Sequence, residues 1–456
     1  MFDAKTYTQR RQQLKQQIGS GLILLLGNDE AGMNFTDNWY PFYQDSTFRY
    51  YFGLNLAGLT GIIDIDRNEV ILFGSEQSID DVVWTGPLPS LAALAEQVGV
   101  SKVLPTEKIA DYLKGVSNIH YLPPYRPEHA LKLQTWTGET TLVPSLPLIQ
   151  AVVAQRSIKS DAEVAEIERA VTFTSRMHRS VMQFAREGMK EHEVASEAVR
   201  YAEATGNQLS FPVICTTNGQ ILHNHYRGNT LGAGDMLLFD GGIQTAAGYA
   251  GDMTRTFPVS GTFSERQREL YQVVLDAHET AMAALKPGML FKDVHLLACR
   301  KLTDGLKQVG LMQGDTEEAV QAGAHTMFFQ CGLGHMMGMD VHDMENLGEQ
   351  YVGYTPEMRK STEFGLKSLR LGRALEPGFV VTVEPGIYII PELIDMRRND
   401  KVAQRFINFE LLDSYRDFGG IRIEDDLLIT EGDSRILGEP LERALADVEA
   451  VRQQAL

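Results

Sequence analysis

The chain has 456 residues, of which 43% are apolar and 22% are charged, and these values exclude a disordered or fibrous protein. Its length is about three times that of a common single domain, so we expect two domains. Lys and Arg number 42 and Asp and Glu number 60, which gives a formal charge of −18. Negative charge of this size argues against nucleic acids and anionic membranes as partners.

The sequence shows no segment that would direct it into a membrane or out of the cell. Its most apolar run, 23–26, is far shorter than the ~20 residues that span a bilayer. No apolar signal segment follows residues 1–5. The cysteines, Cys215, Cys299 and Cys331, are odd in number and lack metal-ligand spacing, which is typical of a reducing compartment. We therefore expect a cytoplasmic protein without a disulfide framework.

In the first part of the chain, residues 1–155, short β-rich runs alternate with amphipathic stretches. The run at 21–26 predicts a strand and residues 90–98 predict a helix, so this part is a mixed α/β domain. Residues 160–163, Ser-Asp-Ala-Glu, have the form of a capping box, and apolar residues follow at intervals of three and four. A long helix therefore opens the second predicted domain, 156–456.

Two patterns occur twice within the second domain. One long predicted helix ends near Gly188 and another near Gly288, and each glycine is followed by methionine and, at the same offset, by valine. In addition, an apolar strand ends in a carboxylate six residues after a glycine, at Asp240 and again at Glu384. These repeats predict two related α+β halves that face each other.

Four acidic residues interrupt strands that otherwise look like core. Asp240 and Asp252 occupy facing positions on a predicted hairpin, Glu384 ends a strand, and Glu424 shares a strand face with Arg422. A single aspartate at a strand end is most often a turn or cap residue. Four such carboxylates are different, because buried like charges need cations to compensate them, and two divalent ions balance four charges. The set predicts a dinuclear metal site.

A fifth ligand candidate is His335, which lies in the glycine-rich segment 331–343. A hydrogen-bonded core histidine is the alternative for any single histidine. One imidazole with four carboxylates is a hard, oxygen-rich donor set, which favours Mn²⁺, with Co²⁺, Zn²⁺ or Fe²⁺ as alternatives.

The candidates occur along the chain in the order Asp240, Asp252, His335, Glu384 and Glu424. With the strings Gly-Tyr-Ala-Gly-Asp, Gly-Leu-Gly-His, Val-Glu-Pro-Gly and Arg-Ile-Glu-Asp-Asp around them, this order resembles the pita-bread metallopeptidases, which include methionine aminopeptidase, Xaa-Pro aminopeptidase and prolidase. Residues 38–50 resemble the N-terminal domain of the two proline-specific branches. The resemblance implies an α+β pita-bread catalytic domain of two pseudo-symmetric halves, preceded by a smaller mixed α/β domain of the aminopeptidase P type.

The resemblance also implies roles for the ligand candidates. Asp252 and Glu424 would bridge two metal ions, Asp240 would bind one of them, and His335 and Glu384 the other. A hydroxide that bridges the metals would attack the scissile carbonyl. Glu384 would carry the proton of the nucleophile to the leaving proline nitrogen.

Three further residues match positions near the substrate in this family. His223, rather than His225, aligns with the histidine that precedes the aspartate ligands, and His342 matches the second pocket histidine. Both would donate to the substrate or to the oxyanion, and Arg422 would steady the carboxylate of Glu424. Ordinary surface or core hydrogen bonding is the alternative for each.

Two further residues match substrate-binding positions of the family, and one residue departs from the family pattern. Trp84 matches a tryptophan near the family's substrate cleft, and a plain core tryptophan is the alternative. Arg370 lies where prolidase has an arginine that pairs with the carboxylate of a dipeptide, and a loop-bracing arginine is the alternative. Cys331 occupies a position where the family usually has histidine, which we expect to weaken a substrate contact.

The expected function is therefore metal-dependent hydrolysis of the Xaa-Pro bond at the N-terminus of peptides with proline at position two. The N-terminal motif favours an Xaa-Pro aminopeptidase, whereas segments 343–384 and 391–420 resemble prolidase, an Xaa-Pro dipeptidase, which stays the alternative. A metal-free relative without peptidase activity, such as creatinase, is a third reading, but such relatives lose the ligand set that this chain retains. The resemblance also implies a homodimer or a higher homo-oligomer.

Overall fold

The computed structural model describes residues 2–455, which divide into two compact units. The first consists of residues 2–156 and 346–351, and the second of residues 157–345 and 352–455. Within 2–455, no helix combines the length and the apolar character that crossing a membrane requires.

The first unit contains a five-stranded sheet with the strand order β4-β3-β2-β1-β5. Elements up to residue 157 are α1 (Ala4–Ile18), β1 (Leu22–Leu26), α2 (Ser46–Phe52), β2 (Thr60–Asp64), β3 (Glu69–Gly74), α3 (Ile79–Thr85), α4 (Leu91–Gln97), β4 (Lys102–Pro105), α5 (Ile109–Leu113), β5 (Ile119–His120), α6 (Pro127–Thr137) and α7 (Leu146–Ser157). The strand predicted at 21–26 is β1, which begins one residue later, at Leu22, and is buried along its whole length. The helix predicted at 90–98 is α4, and the hydroxyl of Ser90 caps its first turn.

The second unit is built from paired helices that cover short antiparallel sheets. The remaining elements are α8 (Asp161–Phe184), α9 (Glu191–Ala204), β6 (Gln208–Leu209), β7 (Ile214–Thr216), β8 (Met236–Gly241), β9 (Ile243–Gln244), β10 (Met253–Pro258), α10 (Glu265–Ala284), α11 (Phe291–Gln308), α12 (Thr316–Gln321), α13 (Glu349–Val352), β11 (Val380–Val383), β12 (Gly386–Tyr388), α14 (Pro391–Arg397), α15 (Lys401–Phe406), α16 (Phe409–Asp413), β13 (Gly420–Arg422), β14 (Asp425–Ile429), β15 (Ser434–Ile436) and α17 (Leu445–Ala455). Two three-stranded sheets have the orders β10-β8-β7 and β11-β14-β15.

The two predicted long helices begin where the sequence indicates. At the start of α8, Glu163 accepts a hydrogen bond from the backbone N–H of Ser160 at 3.1 Å. Both α8 and α10 end four residues before the predicted glycines, at Phe184 and Ala284. Gly188 and Gly288 instead form the turns that follow, each with a φ of 83° that favours glycine.

The predicted internal repeat is confirmed by matching backbone contacts in the two halves. The N–H of Gly188 donates to the carbonyl of Leu231, and the N–H of Gly288 donates to that of Leu375, both at 2.8 Å. Antiparallel pairing of β8 with β10 corresponds to that of β11 with β14. The halves meet where the N–H of Glu424 donates to the carbonyl of Thr254 at 3.1 Å.

Candidate metal centre and active site

The predicted metal ligands lie at the ends of the paired strands, next to the contact between the halves. The predicted hairpin forms between β8 and β10, but Asp240 lies opposite Thr254, so the prediction that Asp240 and Asp252 occupy facing positions is wrong. Asp252 directly precedes β10, Glu384 directly follows β11, and Glu424 directly precedes β14. Because both strand pairs are antiparallel, these ends converge in one region.

Three of these side chains and His335 form a compact, buried set. Asp252, His335 and Glu424 each offer a ligand atom, and these atoms lie within 4.8 Å of one another. The Nε2 atom of His335 is 3.4 Å from Oδ2 of Asp252 and 3.6 Å from Oε1 of Glu384. Asp240 adds an oxygen, Oδ1, that is buried without a hydrogen-bond partner among the described residues. A buried oxygen without a partner and several facing donors fit a metal ion.

The charges in this set require compensation. Burial raises the pKa of Asp252 well above its usual range, and the charge of Asp240 adds to the effect. Burial likewise raises the pKa of Glu424, with Asp252 contributing, and burial raises that of Glu384. Carboxylates in such surroundings ionise together only when cations accompany them. The electrostatics therefore support the cation site that the sequence predicts.

His335 is held in the form that a metal ligand needs. Its Nδ1 atom is 3.1 Å from the carbonyl oxygen of Met336, so Nδ1 carries the hydrogen and donates it. Burial lowers the pKa of His335, which keeps the ring neutral and leaves the Nε2 lone pair facing Asp252 and Glu384. A second-sphere carbonyl that fixes the tautomer in this way is common at metal sites.

The loop that carries His335 and His342 is anchored at both ends. Backbone groups of His335 and Thr382 bond to each other at 3.0 Å, which ties the loop to β11. Near the other end, the ammonium group of Lys159 lies 3.0 Å from the carboxylate of Asp343, and both side chains are buried. A buried ion pair of this kind holds the backbone beside His342 firmly in place.

Arg422 contacts Asp240 directly and reaches Glu424 only through another residue. Its Nη2 atom donates to Oδ2 of Asp240 at 2.6 Å, so the direct ion pair is with Asp240. Its Nε atom donates to the hydroxyl of Thr254 at 3.1 Å, and that hydroxyl donates to Glu424 at 2.6 Å. The predicted support of Glu424 therefore passes through Thr254, a residue that the sequence did not single out. The Nη1 atom also donates to the hydroxyl of Tyr388 at 3.0 Å.

His342 lies against the metal ligands and has a partner of its own. The rings of His335 and His342 pack edge to face with centroids 4.4 Å apart. The Nδ1 atom of His342 lies 2.5 Å from Oε2 of Glu345, and Nε of Arg370 donates to the same oxygen at 3.3 Å. The hydrogen bond from His342 lowers the pKa of Glu345 to about 2, so Glu345 is an anion at neutral pH. Glu345 was missed because only its spacing of three from His342 hinted at contact.

His223 lies within electrostatic reach of the same residues. Burial lowers its pKa, and the charges of Arg422 and Arg370 lower it further. Part of its side chain stays exposed, which leaves the imidazole accessible to a ligand. The structure thus brings His223 near the set, and its contact with a substrate stays a prediction.

The remaining two positions are Trp84 and Cys331. Trp84, on α3, is 85% exposed, so the alternative of a core tryptophan is wrong, while its contact with a substrate stays a prediction. Cys331 is partly buried, and its sulfur lies 3.9 Å from the hydroxyl of Tyr388. Burial raises the pKa of Cys331 to about 12, so it remains a protonated thiol. The effect of this thiol on substrate binding stays a prediction.

A buried set of carboxylates and one histidine between two pseudo-symmetric α+β halves defines a metallopeptidase of the pita-bread class. Residues 165–431 match Metallopeptidase family M24, and residues 7–120 match Aminopeptidase P, N-terminal domain. The chain belongs to metallopeptidase family M24. Its predicted fold class, a pita-bread catalytic domain after a smaller mixed α/β domain, is confirmed.

Similar proteins fall on both proline-specific branches. The chain is 32% identical to the Xaa-Pro dipeptidase of Homo sapiens, across 95% of this chain and 89% of that protein. It is 30% identical to the Xaa-Pro aminopeptidase of Escherichia coli (strain K12), across 98% of this chain and 97% of that protein. The solved structure of aminopeptidase P from E. coli with the inhibitor Pro-Leu is 29% identical, has a TM-score of 0.82, and is matched over 100% of this chain and 99% of that one.

Proposed function

We propose that this protein is an Xaa-Pro aminopeptidase, a metal-dependent exopeptidase that hydrolyses the bond before a proline at position two of a peptide. The observation that carries the proposal is the buried cluster of Asp252, His335 and Glu424, in a chain that also matches the aminopeptidase P N-terminal domain. The second candidate is an Xaa-Pro dipeptidase, which the similarity to the human dipeptidase and the position of Arg370 near His342 favour.

The donor set fits two divalent ions, and we propose Mn²⁺ because four carboxylates and one imidazole form a hard set. The ligands would be Asp240, Asp252, His335, Glu384 and Glu424. Such ions, when bound, supply Lewis acidity for a peptide carbonyl and lower the pKa of water towards ~7. The buried Oδ1 atom of Asp240, which has no partner among the described residues, supports this assignment.

Glu384 is the proposed site of proton transfer. Its side chain is 18% exposed, whereas that of Asp252 is 5% exposed, so Glu384 is the more open to a substrate. A carboxylate beside the nucleophile can accept its proton at Oε1 and deliver it to the proline nitrogen as the peptide bond breaks.

The two histidines are the proposed donors to the substrate. His342 uses Nδ1 to reach Glu345, which leaves Nε2 for a substrate oxygen. His223 has an accessible imidazole in the field of Arg422 and Arg370. Fixed donors of this kind stabilise negative charge that develops on a carbonyl oxygen.

We also propose a cytoplasmic homodimer or higher oligomer, with a domain boundary at 155/156. Three free cysteines support a reducing compartment. Apolar side chains exposed on α3, Ile79, Val83 and Trp84, support a contact between copies of the chain.

The test compares kcat/KM for an Xaa-Pro-Yaa tripeptide and an Xaa-Pro dipeptide, with the wild type and Arg370→Ala side by side. We expect the tripeptide to be the better substrate, because an aminopeptidase needs an open path beyond the proline. If the wild type cleaves only the dipeptide, and Arg370→Ala abolishes that preference, the protein is a prolidase. If it cleaves neither when loaded with Mn²⁺, both candidates are wrong.

A further inference from the structure

Glu345 has no part in the proposed reaction, yet it lies between two residues of the site. Its Oε2 atom is 2.5 Å from Nδ1 of His342 and 3.3 Å from Nε of Arg370. All three side chains are partly exposed, with fractions of 38% for Glu345, 33% for His342 and 29% for Arg370. This group, which we call the rim triad, is therefore open to a bound peptide.

The rim triad lies beside the proposed metal ligand His335. On its inner side, the ring of His342 packs on that of His335, with centroids 4.4 Å apart. On its other side is Arg370, whose Nε atom donates to Glu345 at 3.3 Å. The resemblance to prolidase implies that the group that follows the proline lies beside Arg370, so a peptide cleaved beside His335 and His342 would bring this group towards Glu345.

That group differs between two classes of substrate. In an Xaa-Pro dipeptide the proline ends in a carboxylate, whereas in a longer peptide it continues as a neutral amide. A free guanidinium would attract the carboxylate and select dipeptides. In this chain the guanidinium is already paired with an anion, and that anion repels a second carboxylate.

We propose that Glu345 is a specificity-determining residue that disfavours substrates with a free carboxylate on the proline and so favours peptides that continue beyond it. The inference rests on the proposed Xaa-Pro hydrolysis and explains how one site discriminates between the two substrate lengths. Glu345 disfavours the carboxylate of a dipeptide in two ways. It weakens the attraction of Arg370 for that carboxylate, and its own negative charge repels it.

If Glu345 only held His342 in place, the expected result would be different. The contact between Glu345 and His342 is the shorter of the two, so its loss would disturb His342. That disturbance would lower turnover of every substrate by the same factor, because His342 acts at the scissile bond. Selection by charge changes the ratio between substrates with and without a carboxylate.

The experiment uses the Mn²⁺-loaded enzyme and three substrates: an Xaa-Pro dipeptide, its C-terminal amide and an Xaa-Pro-Yaa tripeptide. In Glu345→Gln, we expect the ratio of kcat/KM for dipeptide over amide to rise by roughly fivefold or more, the effect of removing one like charge about 4 Å away. In Arg370→Ala the same ratio should fall. The control is Glu376→Gln, which removes the exposed carboxylate that lies 3.0 Å from the mostly buried Arg373 and should leave the ratio unchanged.

An unchanged ratio in Glu345→Gln, or an equal loss for dipeptide and amide, would overturn the inference. The preference of the wild type tests the proposed function separately, since a prolidase could still show the shift in Glu345→Gln. Calorimetric binding of the products proline and prolinamide, which are not hydrolysed, is measured in parallel and reports the effect of the carboxylate on binding, as a ratio of the two binding constants, without turnover. If Glu345→Gln does not change that binding ratio either, Glu345 has no role in selection.

Discussion

At the scale of single residues, the proposed donors can be separated from their neighbours. We expect His342→Ala and His223→Ala each to lower kcat by roughly 10²–10³-fold, the usual cost of losing one donor to an oxyanion. His225→Ala is the matched control, because it removes an exposed imidazole two residues from His223 and should leave kcat unchanged. Elemental analysis should find the same metal content in all three variants. Loss of metal from either of the first two would make that histidine a ligand.

The sequence predicted which residues gather at the site better than it predicted their partners. Strand-end carboxylates such as Asp240 and Glu424 stand out because a charge in an apolar strand has a large desolvation cost. The partner of Arg422 does not follow from strand alternation, because its guanidinium reaches residues of β8 and β10, which belong to a different sheet from its own strand, β13. Its contacts with Asp240 and Thr254 depend on how the two halves meet, which is a tertiary property.

At the scale of elements, local sequence signals predict the long helices but not the short strands. The capping box at Ser160 and the regular apolar spacing after it predict α8 without any knowledge of the rest. By contrast, β12 and β13 have three residues each, too few to show a period. Their pairing, Gly386 with Arg422, brings Arg422 to the site and is set by contacts far apart in sequence.

Helices α8 and α11 each bury a histidine, and we expect these residues to make the fold sensitive to acid. Burial lowers the pKa of His178 on α8 and of His295 on α11, each to about 3. The unfolded chain, with pKa values near ~6.5, binds protons first as pH falls. The contribution of these neutral histidines to the free energy of unfolding is therefore fully present above pH ~6.5. Below that pH it declines by about 1.4 kcal/mol per pH unit for each histidine, until the pH nears 3.

The measurement is urea unfolding between pH 7.5 and 4.5, with His295→Gln beside the wild type. The variant should be less stable than the wild type at pH 7.5, because Gln packs less well against Phe329. As pH falls, however, its free energy of unfolding should decrease less steeply, because unfolding takes up about one proton fewer. A surface control, His192→Gln, should keep the slope of the wild type. If the slopes of His295→Gln and the wild type coincide, the buried imidazole is not a source of acid sensitivity.

At the scale of the whole molecule, the proposed metal site lies where the two halves of the second unit meet. One half supplies Asp240 and Asp252, and the other supplies His335, Glu384 and Glu424. Thr254 and Glu424 also bond to each other across this contact. Cations bound by both halves would therefore hold the halves together, whereas without them the buried carboxylates either repel one another or take up protons, and both cost stability.

We expect removal of divalent metal to lower the melting temperature of the protein by several degrees. A ligand at about 100 times its Kd stabilises the folded state by about 2.7 kcal/mol, and in a large chain each kcal/mol shifts Tm by about 2–4 °C. Calorimetry with the chelated and the Mn²⁺-reloaded protein measures the difference.

The variant Asp252→Asn is the informative comparison. It removes a carboxyl group that, without metal, must either stay ionised among like charges or be protonated, so the metal-free variant should melt above the chelated wild type, and added Mn²⁺ should stabilise it little. A wild type whose Tm is the same with and without metal would show that the cluster does not need a cation to hold its halves together.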